Sequence, residues 1–239
     1  MSSVRISIII PALNEAAGIS QSIEGAFATQ PHEVIVVDGG STDETVGIAK
    51  QHNCRVLQGD RGRASQQNLG ARYATGEVLL FLHADNWLAP DGLRQITVAL
   101  QSSRILGGAF RHRIQAIGLA YRVIEQGNAL RARIFRMAYG DQGIFVRRDA
   151  FWQLGGFPNV NLMEDVLLMR KLRRMSSLPI LPGPIYISAR RWEEHGPLRQ
   201  TIRNWGLTLA ESVGVSPDRL ARYYPIHSHN SNNTNGTCK

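Results

Sequence analysis

The sequence predicts an α/β domain with a mostly parallel central sheet and helices on both of its faces. Strongly apolar segments, too apolar to face water on either side, alternate with helical segments over the first 103 residues. The composition, 43% hydrophobic and 19% charged with scattered Gly and Pro, excludes collagen-like, coiled-coil and wholly disordered chains. A length of 239 residues suits one good-sized domain.

The first half predicts four strands, each followed by a helix. The strands are RISIIIPALNE (ended by Pro11), EVIVVDGG, CRVLQG and GEVLLFLHAD. The first helix is expected from about residue 16 to 29, where Ile19, Ile23 and Phe27 recur at helical spacing. The other helices are expected in STDETVGIAKQH, SQQNLGARYA and APDGLRQITVALQ.

The pattern changes after Gln101. Strands are expected in GGAFRHRI, GIFVRR and the end of LPILPGPIYIS, with a long basic helix over about residues 117 to 136. In NLMEDVLLMRKLRR, Leu162, Val166, Met169 and Leu172 share one helical face. A late helix is expected in PLRQTIRNWGLTLAESVG, and residues 226–239 are too polar to pack and predict a disordered tail.

Several protein classes are excluded by missing features. Two cysteines provide no disulfide framework or zinc cluster, and no apolar run reaches the roughly 20 residues of a membrane span. The N-terminus is typical of a first strand rather than a signal peptide, so a soluble cytoplasmic protein is expected. No Gly-x-Gly-x-x-Gly follows the first strand and no P-loop or nucleotidyltransferase glycine loop is present, which excludes dehydrogenases and P-loop enzymes.

The positive charge is concentrated in the middle of the chain. The net charge is +8, and residues 104–203 contain 17 basic and 7 acidic side chains. Nearly all the cations are arginines, whose planar guanidinium suits phosphate and carboxylate groups. This segment predicts either an anionic ligand or surface, including peripheral association with an anionic membrane, or a general preference for arginine. No nucleic-acid recognition motif is present.

Acidic residues end two of the predicted strands. Asp38 ends the second and Asp85 the fourth, so both belong at the carboxyl edge of a parallel sheet, where open α/β folds bind ligands. One carboxylate can accept hydrogen bonds from a base or ribose, and the other can hold a divalent cation that bridges two phosphates. The alternative is that both are ordinary turn or loop carboxylates.

Five motifs in order give the sequence a family resemblance. SIIIPALNE, EVIVVDGGSTDET, GRASQQNLGARYATGEVLLFLHAD, GDQGIFVRR and LMEDVLLMRKLR together resemble glycosyltransferase family 2, most closely its small bacterial radical-SAM/selenodomain-associated branch. The resemblance implies a Rossmann-like glycosyltransferase A fold over residues 1–225, with a nucleotide-binding half (1–103) and an acceptor half (104–225). It also implies a nucleotide-sugar donor, usually UDP-linked, a sugar acceptor of unknown identity, and Mn²⁺ or Mg²⁺.

The resemblance assigns donor-side roles by position. Asp38 matches the acid that contacts the base or ribose, and Asp85 the last acid of the Asp-x-Asp metal motif. The first acid of that motif is replaced by His83, whose neutral imidazole is a poor ligand for Mg²⁺ and a reasonable one for Mn²⁺. We therefore expect Asp85 to bind the metal alone or with waters and phosphates, and His83 to support the site without binding the metal directly. The loop along the nucleoside and the donor-contacting side chains correspond to Pro11, Ala12, Asn14, Glu15, Arg63 and Asn68.

The acceptor side is expected to supply the base. Glu164 and Asp165 match the family's Glu-Asp pair; in an inverting transfer, Asp165 would take the acceptor's proton and Glu164 would orient it. Without a catalytic role, the pair would simply stabilise the start of a helix. The missing first metal acid leaves a catalytically inactive nucleotide-binding protein or scaffold as the alternative. The remaining candidates are Asp141 and Gln142 for the acceptor, with a turn role as the alternative, and Arg190, Arg191 and Trp192 for the diphosphate, with a solvated run of charges as the alternative. His195 is expected to be a loop histidine.

Overall fold

The computed structural model describes residues 4–135 and 140–196, together with positions 201, 205, 206, 210, 215, 219 and 220. Over these residues, strands form one sheet in the order β3-β2-β1-β4-β7-β6-β8-β5. The strands are β1 (Ile6–Ala12), β2 (Glu33–Asp38), β3 (Arg55–Gln58), β4 (Val78–Phe81), β5 (Asn86–Leu88), β6 (Gly107–Gln115), β7 (Ile144–Arg147) and β8 (Ile180–Ser188). The helices are α1 (Ile19–Ala28), α2 (Thr45–Lys50), α3 (Arg63–Tyr73), α4 (Gly92–Ala99), α5 (Leu119–Phe135), α6 (Arg148–Gln153), α7 (Glu164–Met175) and α8 (Arg190–His195).

The first four strands pair in parallel, as predicted. β1 lies between β2 and β4, and β2 pairs with β3. The register places Ala12, the last residue of β1, directly beside Asp38, the last residue of β2. The prediction of a mostly parallel sheet is confirmed, and the ends of these strands share one edge.

Strand β7 is antiparallel to its neighbours, and this direction determines which residues lie at that edge. It pairs antiparallel with β4, which places Ile144 beside Phe81 near the carboxyl end of β4. A short 3₁₀ turn, Gly140–Gln142, immediately precedes β7. The reversal therefore brings this turn to the same edge as the chain leaving β4.

Apolar clusters cover both faces of the sheet. On one face Ile8, Ile10 and their neighbours pack against α1 and α4. On the other, Ile9, Ile35 and their neighbours pack against α3, α6 and α7. Since consecutive strand residues point to opposite faces, the continuous apolar runs of the sequence are explained by burial on both sides. The predicted inner face of α7 is confirmed, because Val166, Met169 and Leu172 are buried. Leu162, the fourth residue of the predicted face, is also buried and precedes the helix.

One strand and two helices among the described residues were not predicted from the sequence, and neither was the 3₁₀ turn at Gly140–Gln142. Strand β5 has only three residues, and α6 and α8 have six each and begin directly after a strand or close to one. Such short elements leave too few residues to show a periodicity. Most of the predicted late helix and the whole predicted tail fall outside the described residues. Among the residues described, no helix has both the length and the apolar character needed to cross a bilayer.

Candidate functional site

The loops after β1 and β2 hold each other in place. Asn14, in the left-handed region with φ 54°, accepts a hydrogen bond on its side-chain oxygen from the Thr42 backbone N–H at 2.8 Å. The Asn14 backbone N–H donates to Ser41 Oγ at 2.9 Å, and that of Glu15 donates to Thr45 Oγ1 at 2.8 Å. Asn14 and Glu15 are therefore fixed beside the end of β2, while Pro11 and Ala12 are buried at the end of β1.

Asp38 is part of the turn that begins the next loop. Its side chain is 2% exposed, and its Oδ2 accepts the backbone N–H groups of Gly40 at 2.9 Å and Ser41 at 3.0 Å. These two hydrogen bonds stabilise the turn and the charge of the carboxylate. Asp38 therefore has the turn role that the sequence analysis gave as the alternative. Gln66 on α3 ties the same edge together by donating to the carbonyls of Ala12 and Val37, each at 2.8 Å.

Asp85 lies between β4 and β5 with part of its surface exposed. The start of α1 approaches it closely, since a Cβ added to Gly18 would lie 3.7 Å from the Asp85 Cβ and 3.3 Å from the Ala84 carbonyl oxygen. The absence of a side chain at Gly18 therefore leaves room for this approach. A partly exposed carboxylate at the ligand edge of the sheet is suited to binding a cation.

Glu164 and Asp165 begin α7, directly after Met163 in the left-handed region (φ 64°). Glu164 is 2% exposed, and its Oε1 lies 3.0 Å from Nε of Arg63, the first residue of α3. The Gly140 backbone N–H donates a short hydrogen bond to Asp165 Oδ2. Residues from α3, α7 and the 3₁₀ turn thus meet at one point.

The Asp165 carboxyl group is a weaker acid than usual. Its partial burial and the charge of Glu164 raise its pKa from 3.8 to about 6, against the opposing effects of Arg63 and the Gly140 hydrogen bond. Loss of hydration disfavours the charged form, and a neighbouring carboxylate adds repulsion. A carboxylate with a pKa near 6 is ionised at neutral pH and accepts a proton more readily than an ordinary aspartate.

His83 faces the same point as Asp165. A Cβ added to Gly140 would lie 3.1 Å from His83 Nε2 and 2.9 Å from Asp165 Oδ2. The residue at the first position of the expected metal motif is thus directed toward the proposed base. The sequence contains no signal for this proximity, because it depends on the antiparallel placement of β7.

The remaining acceptor-side candidates lie nearby but differ in what they contact. The backbone carbonyl of Asp141 accepts a hydrogen bond from Asn86 Nδ2 at 3.3 Å. Gln142 is 3% exposed, and its Nε2 donates to the Phe110 carbonyl at 3.2 Å. Asp141 therefore remains the more accessible of the two.

Helix α8 links the two halves of the chain. Nη2 of Arg190 donates to Glu15 Oε2 at 3.2 Å, which joins the first residue of α8 to the β1–α1 loop. Trp192 is 7% exposed and packs with Ile114, Ile124 and Ile187. Trp192 is thus a core residue of this cluster, while Arg190 contacts the β1–α1 loop. Arg191 and His195 lie on α8, so the expectation of a loop position for His195 is wrong: it is the last residue of a helix too short to show a periodicity. The side chains of both residues are outside the described part of the chain.

Two predicted donor contacts have protein partners here. Besides the ion pair between Arg63 and Glu164, Asn68 forms two hydrogen bonds with the backbone of Phe157: Nδ2 donates to the carbonyl at 2.8 Å, and Oδ1 accepts from the N–H at 2.9 Å. Asn68 therefore fixes the turn before α7. The sequence did not indicate either partnership, since the partners are about 90 residues or more apart.

The metal implied by the resemblance fits one carboxylate of this edge. Among the described residues, no three Asp, Glu, His or Cys side chains come together into a cage that could hold a metal. Mg²⁺ commonly takes one or two protein carboxylates and draws its other ligands from phosphates and water. Asp85 alone therefore provides enough protein ligands for such a cation when a diphosphate and water supply the others.

Comparison with known families identifies the sequence pattern. The family model described as Glycosyl transferase family 2 matches residues 7–154, well over half of the chain. This range includes the ends of β1, β2 and β4 and the turn before β7. The resemblance in the motifs is therefore confirmed at the level of the family, and the bacterial branch is not distinguished.

Two curated relatives differ in how much of each chain is matched. An uncharacterized glycosyltransferase of Nostoc is 31% identical over 135 residues, which are 52% of this chain and 41% of that relative. A PGL/p-HBAD biosynthesis glycosyltransferase of Mycobacterium bovis is 29% identical over 84% of this chain and 82% of its own length. The chain thus spans less than half of the first relative and most of the second.

Two solved structures share the fold. S. aureus TarS (residues 1–349) in complex with UDP-GlcNAc has a TM-score of 0.58 and 19% identity, covering 77% of this chain and 58% of TarS. Glucosyl-3-phosphoglycerate synthase from Mycobacterium tuberculosis, in complex with Mn²⁺, UDP and glucosyl-3-phosphoglycerate, has a TM-score of 0.55 and 20% identity, covering 89% of this chain and 81% of the synthase. At these identities the likeness establishes the glycosyltransferase A fold and nothing finer.

Proposed function

The chain belongs to glycosyl transferase family 2, and we propose on that premise that it is an inverting glycosyltransferase. In this proposal it transfers a sugar from a nucleoside diphosphate donor, with UDP the first candidate, to a hydroxyl group of an acceptor. Solved proteins of the same fold contain UDP or a UDP-sugar. The motifs favour membership of the small bacterial radical-SAM/selenodomain-associated branch, and a cytoplasmic location is proposed on the sequence features given above.

The proposed donor site is the carboxyl edge of β1, β2 and β4. The nucleoside would lie along Pro11, Ala12, Asn14 and Glu15, with the base or ribose near Asp38. Asp38 already accepts hydrogen bonds from two backbone N–H groups. It would therefore contact the nucleoside through its remaining lone pairs, or act on it through the loop that these hydrogen bonds order. Gln66 and Asn68 would support the site from α3 rather than touch the donor.

Arg190 is proposed to bind the diphosphate after exchanging its partner. Its guanidinium is partly exposed and lies 3.2 Å from Glu15 Oε2. A doubly charged diphosphate is a stronger partner for arginine than a single carboxylate is, and binding there would stabilise the leaving group's charge. Arg63 would stay with Glu164 and act on the base through that carboxylate.

Asp85 is proposed to hold a divalent cation, Mn²⁺ or Mg²⁺, together with the diphosphate. When bound, such a cation neutralises charge that develops on the departing nucleotide. The relatedness in fold to a synthase solved with Mn²⁺ supports this choice. Asp85 would supply the protein carboxylate that holds the cation, and the donor's phosphates and water would supply its other ligands.

The proposed function depends above all on the environment of Asp165. A general base needs a raised pKa and a fixed position, and the Asp165 carboxyl group has a pKa of about 6 and accepts a hydrogen bond from the Gly140 N–H. The acceptor oxygen would attack the anomeric carbon while its proton passes to Asp165, and the bond between that carbon and the diphosphate oxygen would break. Attack opposite the leaving group inverts the anomeric configuration, and the acceptor would lie near Asp141.

The alternative is a transferase-like protein that binds nucleotides without turnover. The observation that favours it is His83 at the first position of the metal motif. Both functions predict nucleotide binding, so only catalysis distinguishes them.

The test is transfer and donor hydrolysis with a panel of UDP- and GDP-sugars and Mn²⁺. Wild type would be compared with Asp165→Asn, Asp85→Ala and the matched control Glu77→Gln, an exposed carboxylate at the start of β4. We expect activity in wild type and the control and its loss in the two site variants. Equal inactivity of all four with UDP still bound would support the scaffold, and a retained anomeric configuration would remove Asp165 as the base.

A further inference from the structure

Helix α5 carries apolar side chains on the face that points away from the protein. Leu119, Val123 and Leu130 are 80%, 63% and 58% exposed, and their spacing places them on one side of the helix. The opposite side is buried through Ile124, Asn128 and Ala132. Ile117, just before the helix, is fully exposed as well. Surface helices normally have a polar outer face, so this stripe is unusual for a face in contact with water.

The stripe ends at a cavity with a strongly basic lining. The cavity has a volume of about 1180 Å³ and lies between α5, β6, the end of α7 and the segment leading into β8. Its lining includes Leu130 and four arginines, Arg104, Arg111, Arg173 and Arg174. No acidic side chain is found among the described residues that line it. The adjoining Met175 is half-exposed, so apolar surface continues across the opening.

Apolar and cationic groups in this arrangement match one kind of partner. A helix that presents leucine and valine to the outside, flanked by arginines, can insert its apolar side chains at the boundary between headgroups and acyl chains. The arginines would then lie at the level of the lipid phosphates, to which the guanidinium group binds well. An acidic soluble protein would satisfy the arginines and leave the leucine stripe in water.

We propose that the outer face of α5 (Leu119, Val123 and Leu130), Ile117 just before it and the arginine-lined cavity beside it form a docking surface for a membrane with anionic phospholipids. Binding to vesicles requires no nucleotide and no turnover, so the inference goes beyond the proposed function and does not depend on it. The surface lies on the acceptor half, and α5 leads toward the turn that contains Asp141.

The experiment is flotation of the full chain with two kinds of vesicle, pure phosphatidylcholine and equal parts phosphatidylcholine and phosphatidylglycerol. We expect binding to the anionic vesicles alone, and a loss of at least about tenfold when salt is raised from about 0.1 M to about 1 M.

Two sets of variants separate the contributions of the arginines and the stripe. The triple variant Arg104→Gln, Arg111→Gln, Arg174→Gln is expected to lower the bound fraction at least about tenfold, since each surface arginine contributes severalfold to binding. The double variant Leu119→Ser, Val123→Ser is expected to lower it severalfold at constant charge. The matched control removes three exposed arginines from other parts of the surface: Arg5→Gln, Arg72→Gln and Arg94→Gln.

Folding is checked for every variant by circular dichroism and by UDP binding, which the proposal expects to be unchanged. The proposal is overturned if wild type does not float with anionic vesicles, or if the control triple variant loses as much binding as the cavity variant. It is also overturned if the stripe variants abolish a dimer, seen by light scattering, without changing flotation. That result would assign the face to a second copy of the chain.

Discussion

Replacing Asp165 by Asn should stabilise the protein and abolish transfer. The asparagine keeps the shape of the side chain, and its oxygen can accept the hydrogen bond from the Gly140 N–H. It removes the negative charge that partial burial and Glu164 disfavour. Active sites often retain side chains that lower the stability of the protein, and a catalytic role is the expected reason for an aspartate at this position.

The size of the stabilisation follows from the pKa of Asp165. A pKa of about 6 in the folded protein against 3.8 for the unfolded chain corresponds to about 3 kcal/mol, at about 1.4 kcal/mol per pKa unit. Since the side chain keeps part of its surface exposed, solvent screening reduces this value, and we expect about 1 to 3 kcal/mol. A change of that size raises Tm by several degrees in a chain of this length.

The stability difference between Asp165→Asn and wild type should depend on pH, and the direction of this dependence follows from the raised pKa. Because the folded state binds the Asp165 proton more tightly than the unfolded state, this group stabilises most below about pH 4, and its contribution is lost as pH rises to about 6. The difference in unfolding free energy between Asp165→Asn and wild type should therefore be small near pH 4 and reach its full value by pH 7.

Urea unfolding of both proteins at a series of pH values measures this difference, with Glu77→Gln as the control for a general loss of negative charge. A variant that is less stable than wild type at pH 7, or a difference that does not change between pH 4 and 7, would refute the reasoning. Transfer activity of the variant, measured on the same samples, should fall at least about a hundredfold.

Four further outcomes are expected, three at the same carboxylate and one at the proposed metal. The rate of transfer should rise with pH through about 6 as Asp165 loses its proton, and a pH profile of kcat/KM that is flat from 5 to 7 would contradict this. Arg63→Gln should raise the pKa of Asp165 further and move that profile to higher pH, and urea unfolding should show a loss of about 1 to 3 kcal/mol because Glu164 loses its partner. Gly140→Ala should lower kcat at least about tenfold with unchanged UDP binding by calorimetry, because its methyl group would crowd Asp165 and His83. Chelation by EDTA should abolish transfer and Mn²⁺ should restore it, and full activity in EDTA would remove the metal from the proposal.

The sequence predicted the strands and the edge where the acids lie because these depend on local pattern. Continuous β-branched runs can be accommodated only by burial on both faces, which requires a covered, parallel arrangement. Once the strands are parallel, Asp38 and Asp85 must share an edge, and the register of Ala12 beside Asp38 agrees with this. The apolar face of α7 followed in the same way from helical spacing.

The partners of the site residues could not be predicted in this way. Arg63 meets Glu164 and Arg190 meets Glu15 across long stretches of chain, and His83 approaches Asp165 only because β7 runs antiparallel beside β4. The three-residue strand β5 was also missed, since its pairing with β8 rather than its own pattern makes it a strand.

The amino-acid sequence by itself determined the α/β architecture, the family and the identity of the acids at the sheet edge, because hydrophobic spacing and motif order are properties of neighbouring residues. The tertiary structure alone decided that Glu164 forms an ion pair with Arg63 and that the pKa of Asp165 rises to about 6. It also decided that α5 exposes leucines beside four arginines. Charge pairing, burial and surface exposure arise only when distant segments pack together, and for that reason they are absent from the sequence pattern.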